Sequence, residues 1–460
     1  MLTITISLLH TACVMSVLAY FLTRTQFYAA MLESKQSSKS TTILIILFGS
    51  FTLYGAFNAI PFNGGLVSLR PTGPILGGFL GGPWVGLGVG LIGGLDRYMQ
   101  GGASMGSAVT ATVLAGLFAG LYAKWRKKSS LVGVKEAVCF TALYEVFASG
   151  LTFLAVPEFE AALAIEKSIR VPLIVGNCLA VAIFIFITKN LIAEKKNQEI
   201  KERIESELNV ARSIQMSMIP KIFPAFPNIE EVDIHAFLLP AKEVGGDLYD
   251  FFFIDDDHFC FVIGDVSGKG VPASLFMAVT KTLIQAKAGK GISSEEILYK
   301  TNNELCRSND ETMFVTVFCG ILNIRTGHVV YSNGGHNPPY VYKANGKLEP
   351  IPCHPGIALG IMDDFSYEQQ ELTLNKGDAI VLYTDGVTEA ISAANGMFET
   401  ERLEEAIQKS PSDVPKAIVN HIIEDVEDFS TGVAQFDDIT VLVLTYKGIN
   451  DVTSTCSEAS

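Results

Sequence analysis

The chain lacks paired cysteines. Its eight cysteines, Cys13, Cys139, Cys178, Cys260, Cys306, Cys319, Cys353 and Cys456, are scattered with no CxxC spacing. That excludes a zinc-ribbon site and a disulfide framework, and fits reduced thiols in a cytosolic setting. Histidine is scarce, seven residues in 460, which argues against a histidine-built hydrolase centre such as an HD-type phosphodiesterase uses. The GxxxxGK[ST] spacing is absent: Gly264–Gly270 ends in Gly-Lys-Gly before Val271, so ATP binding is not supported. Basic charge is in deficit, 34 Lys and Arg against 48 Asp and Glu, net −14. An acidic balance argues against nucleic acid as the partner. Charge of either sign is rare in residues 1–188, with 12 basic and 7 acidic residues, and the remainder carries 22 and 41.

What is there divides accordingly. Mean hydropathy is +0.34 and 49% of residues are apolar, high for a soluble protein. Apolar segments near 3–22, 42–61, 72–95, 104–123, 132–156 and 171–191 are each long enough to span a bilayer. The first has no basic residue before its apolar run, so it reads as a span and not a signal peptide. Lys124, Arg126, Lys127 and Lys128 follow the fourth segment and Lys189, Lys195 and Lys196 the sixth, which favours six spans with both termini in the cytoplasm. Glu158, Glu160 and Glu166 between the fifth and sixth agree; Arg24, Lys35 and Lys39 in the first loop run against it.

Residues 58–97 combine paired glycines with polar residues at their ends, Asn58, Asn63, Arg70, Asp96 and Arg97. The glycines are explained by close helix approach. Ionisable groups near a membrane are costly and tend to be paired or functional, so Asn63, Arg70 and Arg97 are candidates for sensing a small ligand, with interface anchoring or ion pairing as the other reading. This run, with Arg70-Pro71 and Gly81-Gly82-Pro83, resembles the multi-span receptor domain of LytS-type bacterial sensor kinases. The resemblance covers about residues 1–190 and implies sensory input.

Residues 189–219 have no Gly or Pro and are rich in helix formers, and Pro220 stops the run. Ile200, Ile204, Leu208, Ala211, Gln215 and Met218 make a heptad-like seam, imperfect at Gln215. A dimeric coiled coil and a single helix lying on the soluble domain are both compatible with it. Its end, from Ala211 to Pro220, resembles the switch segment before SpoIIE/RsbU-type phosphatase domains.

Beyond Phe223 the pattern alternates strands and turns. Strands are expected near 232–239, 247–254, 258–264, 313–323, 328–333, 338–343, 367–374, 378–384 and 438–446, with helices near 271–288, 293–307, 400–408 and 413–428. Many strands with few helices in pairs point to an α+β layered sandwich. Four carboxylates share one local setting of tight turn and strand end. Asp247 follows Gly245-Gly246, and Asp265 follows Gly264 at the far end of a β-hairpin. Asp385 precedes Gly386, and Asp437 precedes a strand from Ile439. Each alone is an ordinary turn aspartate; together they are the oxygen donors a two-metal centre needs, for hard cations such as Mg²⁺ or Mn²⁺.

Gly-Gly-Asp-Leu-Tyr-Asp (245–250), Gly-Asp-Val-Ser-Gly-Lys-Gly (264–270), Ser332–Pro339, Tyr383–Ala390 and Phe436–Thr440 resemble, in this order, the metal-dependent PPM-type serine/threonine phosphatases of the SpoIIE/RsbU branch. The resemblance spans about residues 206–446. It implies an α-β-β-α sandwich holding two Mn²⁺ or Mg²⁺ ions at one edge. Asp265 would bridge them, the Val266 carbonyl would ligate one, Asp385 and Asp437 would complete the other site, and Asp247 would bind directly or through water. Asp438 is either a hydrogen-bonding support or an auxiliary ligand. His336 is either a proton donor to the leaving alkoxide or a turn-holding residue, and Lys269 either meets phosphate or is solvated.

The expected organisation is a transmembrane sensor domain of about six helices over 1–191, an all-α bundle. A helical connector over 192–220, a PPM-type phosphatase domain over 221–447 and a disordered tail over 448–460 follow. The expected function is a multi-pass protein of the cytoplasmic (inner) membrane whose phosphatase domain, in the cytoplasm, hydrolyses phosphoserine or phosphothreonine on a regulatory protein. By resemblance that protein is an anti-sigma-factor antagonist. A homodimer through the connector and an unknown small ligand at the membrane domain complete the expectation. The alternative is a non-catalytic membrane receptor whose soluble half is a degenerate binding module.

Overall fold

A computed structural model describes residues 2–23, 38–62, 65–101, 105–126, 131–155, 159–307, 309–354 and 356–449. Asn63, Arg24, Lys35, Lys127, Lys128, Glu158 and the tail from 450, all named above, lie outside the described residues. The chain divides into two compact units, Met1–Glu202 and Arg203–Ser460.

The first unit holds helices α1 (Leu2–Thr23) and α2 (Ser38–Phe57), the short antiparallel strands β1 (Ile60–Phe62) and β2 (Gly65–Val67), then α3 (Thr72–Gln100), α4 (Met105–Trp125), α5 (Val134–Ala155) and α6 (Phe159–Met218), the last ending in the second unit. Among the described residues, five helices are long and apolar enough to cross a membrane, α2 to α6. The first of the six expected spans also forms a helix, the 22-residue α1, and the other five expected spans fall on α2 to α6.

Glycine packs α3 against α4. A Cβ on Gly86 would collide with the carbonyl of Gly116, a Cβ on Gly116 with the carbonyl of Gly86, and a Cβ on Gly120 with the backbone of Gly82 and Pro83. Two backbones in contact give the dispersion energy that membrane helices rely on. Gly82 breaks α3 with φ +79° before Pro83, a kink that Pro83 reinforces by lacking an N–H. Gly116→Val should therefore separate α3 from α4. We expect a fall of at least about 10 °C in the melting temperature of the detergent-solubilised unit, since backbone is in the way and cannot yield as a side chain can.

The apolar helices also bury a polar network. Arg170 of α6 donates from Nη1 to Glu145 of α5 at 2.8 Å, and from Nε and Nη2 to the two oxygens of Glu166, both at 2.6 Å. Ser149 donates to Glu166 at 2.6 Å, Asn177 to the other Glu145 oxygen at 2.9 Å, and Thr72 of α3 to Asn177 at 2.7 Å. Three helices are tied together by fully partnered carboxylates, the condition under which such groups persist in an apolar interior.

The second unit is built on two antiparallel sheets. One runs β10 (Gln370–Thr373), β7 (His328–Gly334), β6 (Val315–Asn323), β5 (His258–Val266), β4 (Leu248–Phe253). The other runs β3 (Val232–Leu239), β12 (Ile439–Tyr446), β11 (Ala379–Tyr383), β8 (Tyr340–Tyr342), β9 (Leu348–Pro350). Period-2 alternation decides the layers. Ile380, Leu382, Leu442 and Leu444 pack into one core with Phe259, Phe261 and Phe318 of the first sheet. Val381, Tyr383, Val441 and Val443, from the opposite face, pack on α10 (Glu399–Gln408) and α11 (Pro415–Phe429) through Leu403, Ile407, Ile418 and Ile422. Helices α7 (Val271–Lys287) and α8 (Ser294–Cys306) cover the first sheet with Ala273, Met277, Ile297 and Leu298. The order is α-β-β-α. Each expected strand and helix is present within a few residues; β9 and a one-turn α9 (Asp385–Thr388) were not anticipated. Ser293 caps α8 by accepting from Glu296 N at 3.4 Å, a Ser-x-x-Glu start that the sequence displays.

Candidate active site

The hairpin β4–β5 pairs Leu248 with Gly264, so Asp247 and Asp265 stand opposite one another, one residue further towards the open end. Two glycines make the approach possible. A Cβ on Gly245 would strike the Asp438 carboxylate, and one on Gly246 would come within 2.9 Å of the Val266 carbonyl oxygen. That oxygen is thus presented at the same edge. Across the sandwich β11 and β12 pair Tyr383 with Val441, which brings Asp385, at the exit of β11, beside Asp437 and Asp438, at the entrance of β12. The two sheets deliver their carboxylates to one rim.

The carboxylates feel one another. Asp247 is 1% exposed, and burial, then the charges of Asp265 and Asp438, hold its carboxyl well above the usual range. Its Oδ2 accepts from Thr440 Oγ1 at 2.5 Å and Thr384 Oγ1 at 2.7 Å. Burial, then Asp385 and other neighbouring carboxylates, push Asp265 up to about 7. Burial, then Glu389 and Asp437, push Asp385 up to about 6. Such a concentration of buried negative charge is relieved by protonation or by a cation. Among the described residues, no group of three His, Cys, Asp or Glu side chains is gathered about one point closely enough to hold a metal ion as the side chains stand. The hydrogen bonds explain this: Asp247 leans on two threonines, and Asp437 Oδ2 lies 2.9 Å from Lys269 Nζ. The donor set itself, all oxygen and in excess of negative charge, suits hard divalent cations.

Asp438 is occupied otherwise. Its Oδ1 accepts from Ala241 N at 2.7 Å, its Oδ2 from Gly246 N at 2.6 Å and Asp247 N at 3.3 Å. It organises the backbone leading to Asp247, a use consistent with hydrogen-bonding support. His336 is buried at 5% exposure. Its Nε2 lies 3.1 Å from the Tyr383 carbonyl and therefore donates, which leaves Nδ1 to accept from Thr316 Oγ1 at 2.9 Å. With both nitrogens committed between the two sheets, the imidazole braces β6 against β11, and burial lowers its pKa to about 4. The fold thus favours neutral histidine, whereas an unfolded chain protonates it near 6.5. Stability from this site is complete above the unfolded value and is lost as pH falls from about 6.5 towards 4. The stability advantage of wild type over His336→Gln should shrink by up to about 3 kcal/mol across that window, measured on the unfolding transition of the soluble unit. A difference that does not move with pH would contradict the brace.

Sequence reasoning missed three contributors. Thr384 and Thr440 stand beside the aspartates in the motifs and were legible there as hydroxyl donors. Gln215, the imperfect position of the connector seam, is 6% exposed. It grips the Gly245 backbone from both sides, donating to O at 2.6 Å and accepting from N at 3.2 Å. Ile200 and Ile204 of the same seam remain 47% and 52% exposed. In the first unit Arg70 and Arg97 are both buried. Arg70 pairs with Asp96 at 3.1 Å and donates to Gln100 at 2.8 Å, and Arg97 donates to the Gly101 carbonyl at 2.6 Å.

Two family models match the chain: Stage II sporulation protein E (SpoIIE) over residues 255–447 and 5TMR of 5TMR-LYT over residues 25–191. The phosphoserine phosphatase RsbU of Bacillus subtilis is 32% identical over 251 residues, 54% of this chain and 72% of that protein. Protein IcfG of Synechocystis is 29% identical over 290 residues, 57% of this chain and 45% of that protein, so the chain spans less than half of this longer relative. Among solved structures, the SiaA-PP2C domain of Pseudomonas aeruginosa is similar at a TM-score of 0.48 and 19% identity, over 54% of this chain and 98% of that one. With the RsbU match extending across nearly three quarters of that protein, the chain belongs to the SpoIIE/RsbU-type family of PPM phosphatases, here joined to a membrane domain of the 5TMR-LYT kind.

Proposed function

We propose that this is a membrane-embedded, signal-responsive phosphatase that removes phosphate from seryl or threonyl residues of a regulatory protein. The observation that carries the reading is the meeting of Asp247, Asp265, Asp385 and Asp437 from both sheets at one rim, mutually raised in pKa where shifts are resolved. Asp265 is the central ligand, with Asp247, the Val266 carbonyl, Asp385 and Asp437 around it. Two Mn²⁺ or Mg²⁺ ions held there would supply an activated water and neutralise phosphate charge. The protein's own residues do the rest: Asp438 and Gln215 fix the backbone before Asp247, and Thr384 and Thr440 orient its carboxylate. No nucleophilic Cys or Ser is required.

RsbU, by its name, is a phosphoserine phosphatase. By the resemblance of the motifs, an anti-sigma-factor antagonist is the class of substrate to try first, and the basic residues after the fourth and sixth apolar segments favour a phosphatase domain in the cytoplasm with the helices in the inner membrane. The ligand-sensing role falls to Arg70 and Arg97. Supporting it, the buried Arg70 Nε has no hydrogen-bond partner among the described residues, and so could take an acceptor from a small ligand. The connector would relay the signal, with the exposed Ile200 and Ile204 as its dimer seam and Gln215 as its contact with the Gly245 turn.

The test is Mn²⁺-dependent phosphate release from a phosphoserine protein by the full chain in nanodiscs, against a cyclic dinucleotide as control substrate. We expect release from the phosphoprotein alone. No release from any phosphoprotein would favour a receptor with a degenerate binding module.

A further inference from the structure

Lys269 stands between two glycines, Gly268 and Gly270, both at φ +83°, a conformation that side chains rarely adopt. The base of this loop is fixed, since Ser267 N donates to Phe314 O at 2.9 Å and Phe314 N donates to Ser267 Oγ at 3.0 Å. From there the lysine reaches across to the other sheet. Its ammonium is 2.9 Å from Asp437 Oδ2, donates to the Phe436 carbonyl at 2.5 Å, and lies 4.0 Å from the centre of the Phe436 ring. The remaining Asp437 oxygen, Oδ1, accepts from Asp438 N at 2.9 Å. Both oxygens of one candidate ligand are therefore engaged within the protein, one of them by a mobile-stemmed cation. The charge of Lys269 also reaches Asp385, which it favours in the ionised form.

An ammonium and a divalent cation seek the same oxygen for the same electrostatic reason. We propose that Lys269 is a resident counter-ion of Asp437 that leaves this carboxylate when a divalent cation is taken up, and that its freed ammonium then grips the substrate phosphoryl group. The inference rests on the reading of this rim as a metal-dependent phosphatase site. It gives that site a phosphate-holding residue, which the motifs did not otherwise provide, from a side chain with three rotatable donors on a long stem. It also makes cation uptake and substrate binding sequential, because the lysine cannot serve both partners at once.

Mn²⁺ affinity is measured on the full chain in nanodiscs without substrate, by the paramagnetic resonance signal of free Mn²⁺. Lys269→Met should bind Mn²⁺ about fivefold more tightly, the scale of a half-exposed ion pair, while its KM for a phosphoserine protein rises roughly tenfold. Lys269→Arg, which keeps the charge, should stay nearer to wild type on both. Phe436→Ala removes the ring beside the ammonium without changing any charge, and should tighten Mn²⁺ by about twofold. Unchanged or weaker Mn²⁺ binding in Lys269→Met overturns the proposal. So does an unchanged affinity in Phe436→Ala beside a tighter Lys269→Met, since that pattern reports only the long-range field. An unchanged KM in Lys269→Met overturns the phosphate grip. If wild type binds Mn²⁺ but releases phosphate from no phosphoprotein, the functional reading fails while the affinities still decide the competition.

Discussion

Asp265→Asn should abolish phosphate release, leaving less than about a thousandth of the wild-type rate, with the fold intact. Asp265 is the penultimate residue of β5, an interior strand of its sheet, and lies opposite Thr316 in the β5–β6 register. Its carboxyl sits within electrostatic reach of Asp247, Asp385, Asp437 and Asp438. The amide is nearly isosteric, so packing is kept, but one negative charge is lost where two cations would need it. Stabilising charge at the reacting phosphate is worth several kcal/mol in such sites, and about 4 kcal/mol corresponds to three orders of magnitude in rate. The fold should not suffer, because removing one of several crowded carboxylates relieves repulsion. Phosphate release within tenfold of wild type, in a variant whose Mn²⁺ binding is unimpaired, would remove Asp265 from the centre of the site.

The site was legible in the sequence to the extent that its chemistry is local. Asp247 and Asp265 could be paired because Gly245-Gly246, the apolar alternation and the 255–258 turn define a hairpin, and the register then follows. Asp385 and Asp437 each announced a strand end, and only the sheet order shows that those ends adjoin. What stayed hidden depends on partners far along the chain. Gln215 fits a heptad position, and nothing in the helix indicates that it would bond to a backbone 30 residues later. Lys269 looks solvated until β12 brings Asp437 and Phe436 to it, 167 residues on. In the membrane unit the glycines gave away close helix approach, whereas the kink needed the conformation of Gly82.

The second large effect is expected far from the aspartates. Arg170→Met should cost the membrane unit about 3–5 kcal/mol, the usual consequence of removing one partner from a buried ion pair. Glu145 and Glu166 are 2% and 5% exposed, and Arg170 makes three of their hydrogen bonds. Without it two carboxylates face one another in an apolar interior, with neutral partners such as Asn177 and Ser149 left to satisfy them. Arg170→Lys should recover part of the loss, because an ammonium keeps the charge but cannot span both glutamates with the same planar fork. Glu145→Gln should be milder than Arg170→Met, since Arg170 keeps its two bonds to Glu166 and the amide still meets Asn177. The ranking, read as thermal loss of monodisperse protein in detergent, tests the network itself: equal losses for Glu145→Gln and Arg170→Met would mean that packing volume and not charge compensation holds these helices. The residues lie 25 and 32 positions apart, on helices otherwise selected for apolarity, so their retention in the interior calls for a use. The geometry supplies one, because Thr72 begins α3 and bonds to Asn177 on α6, so the network holds a third helix to the other two.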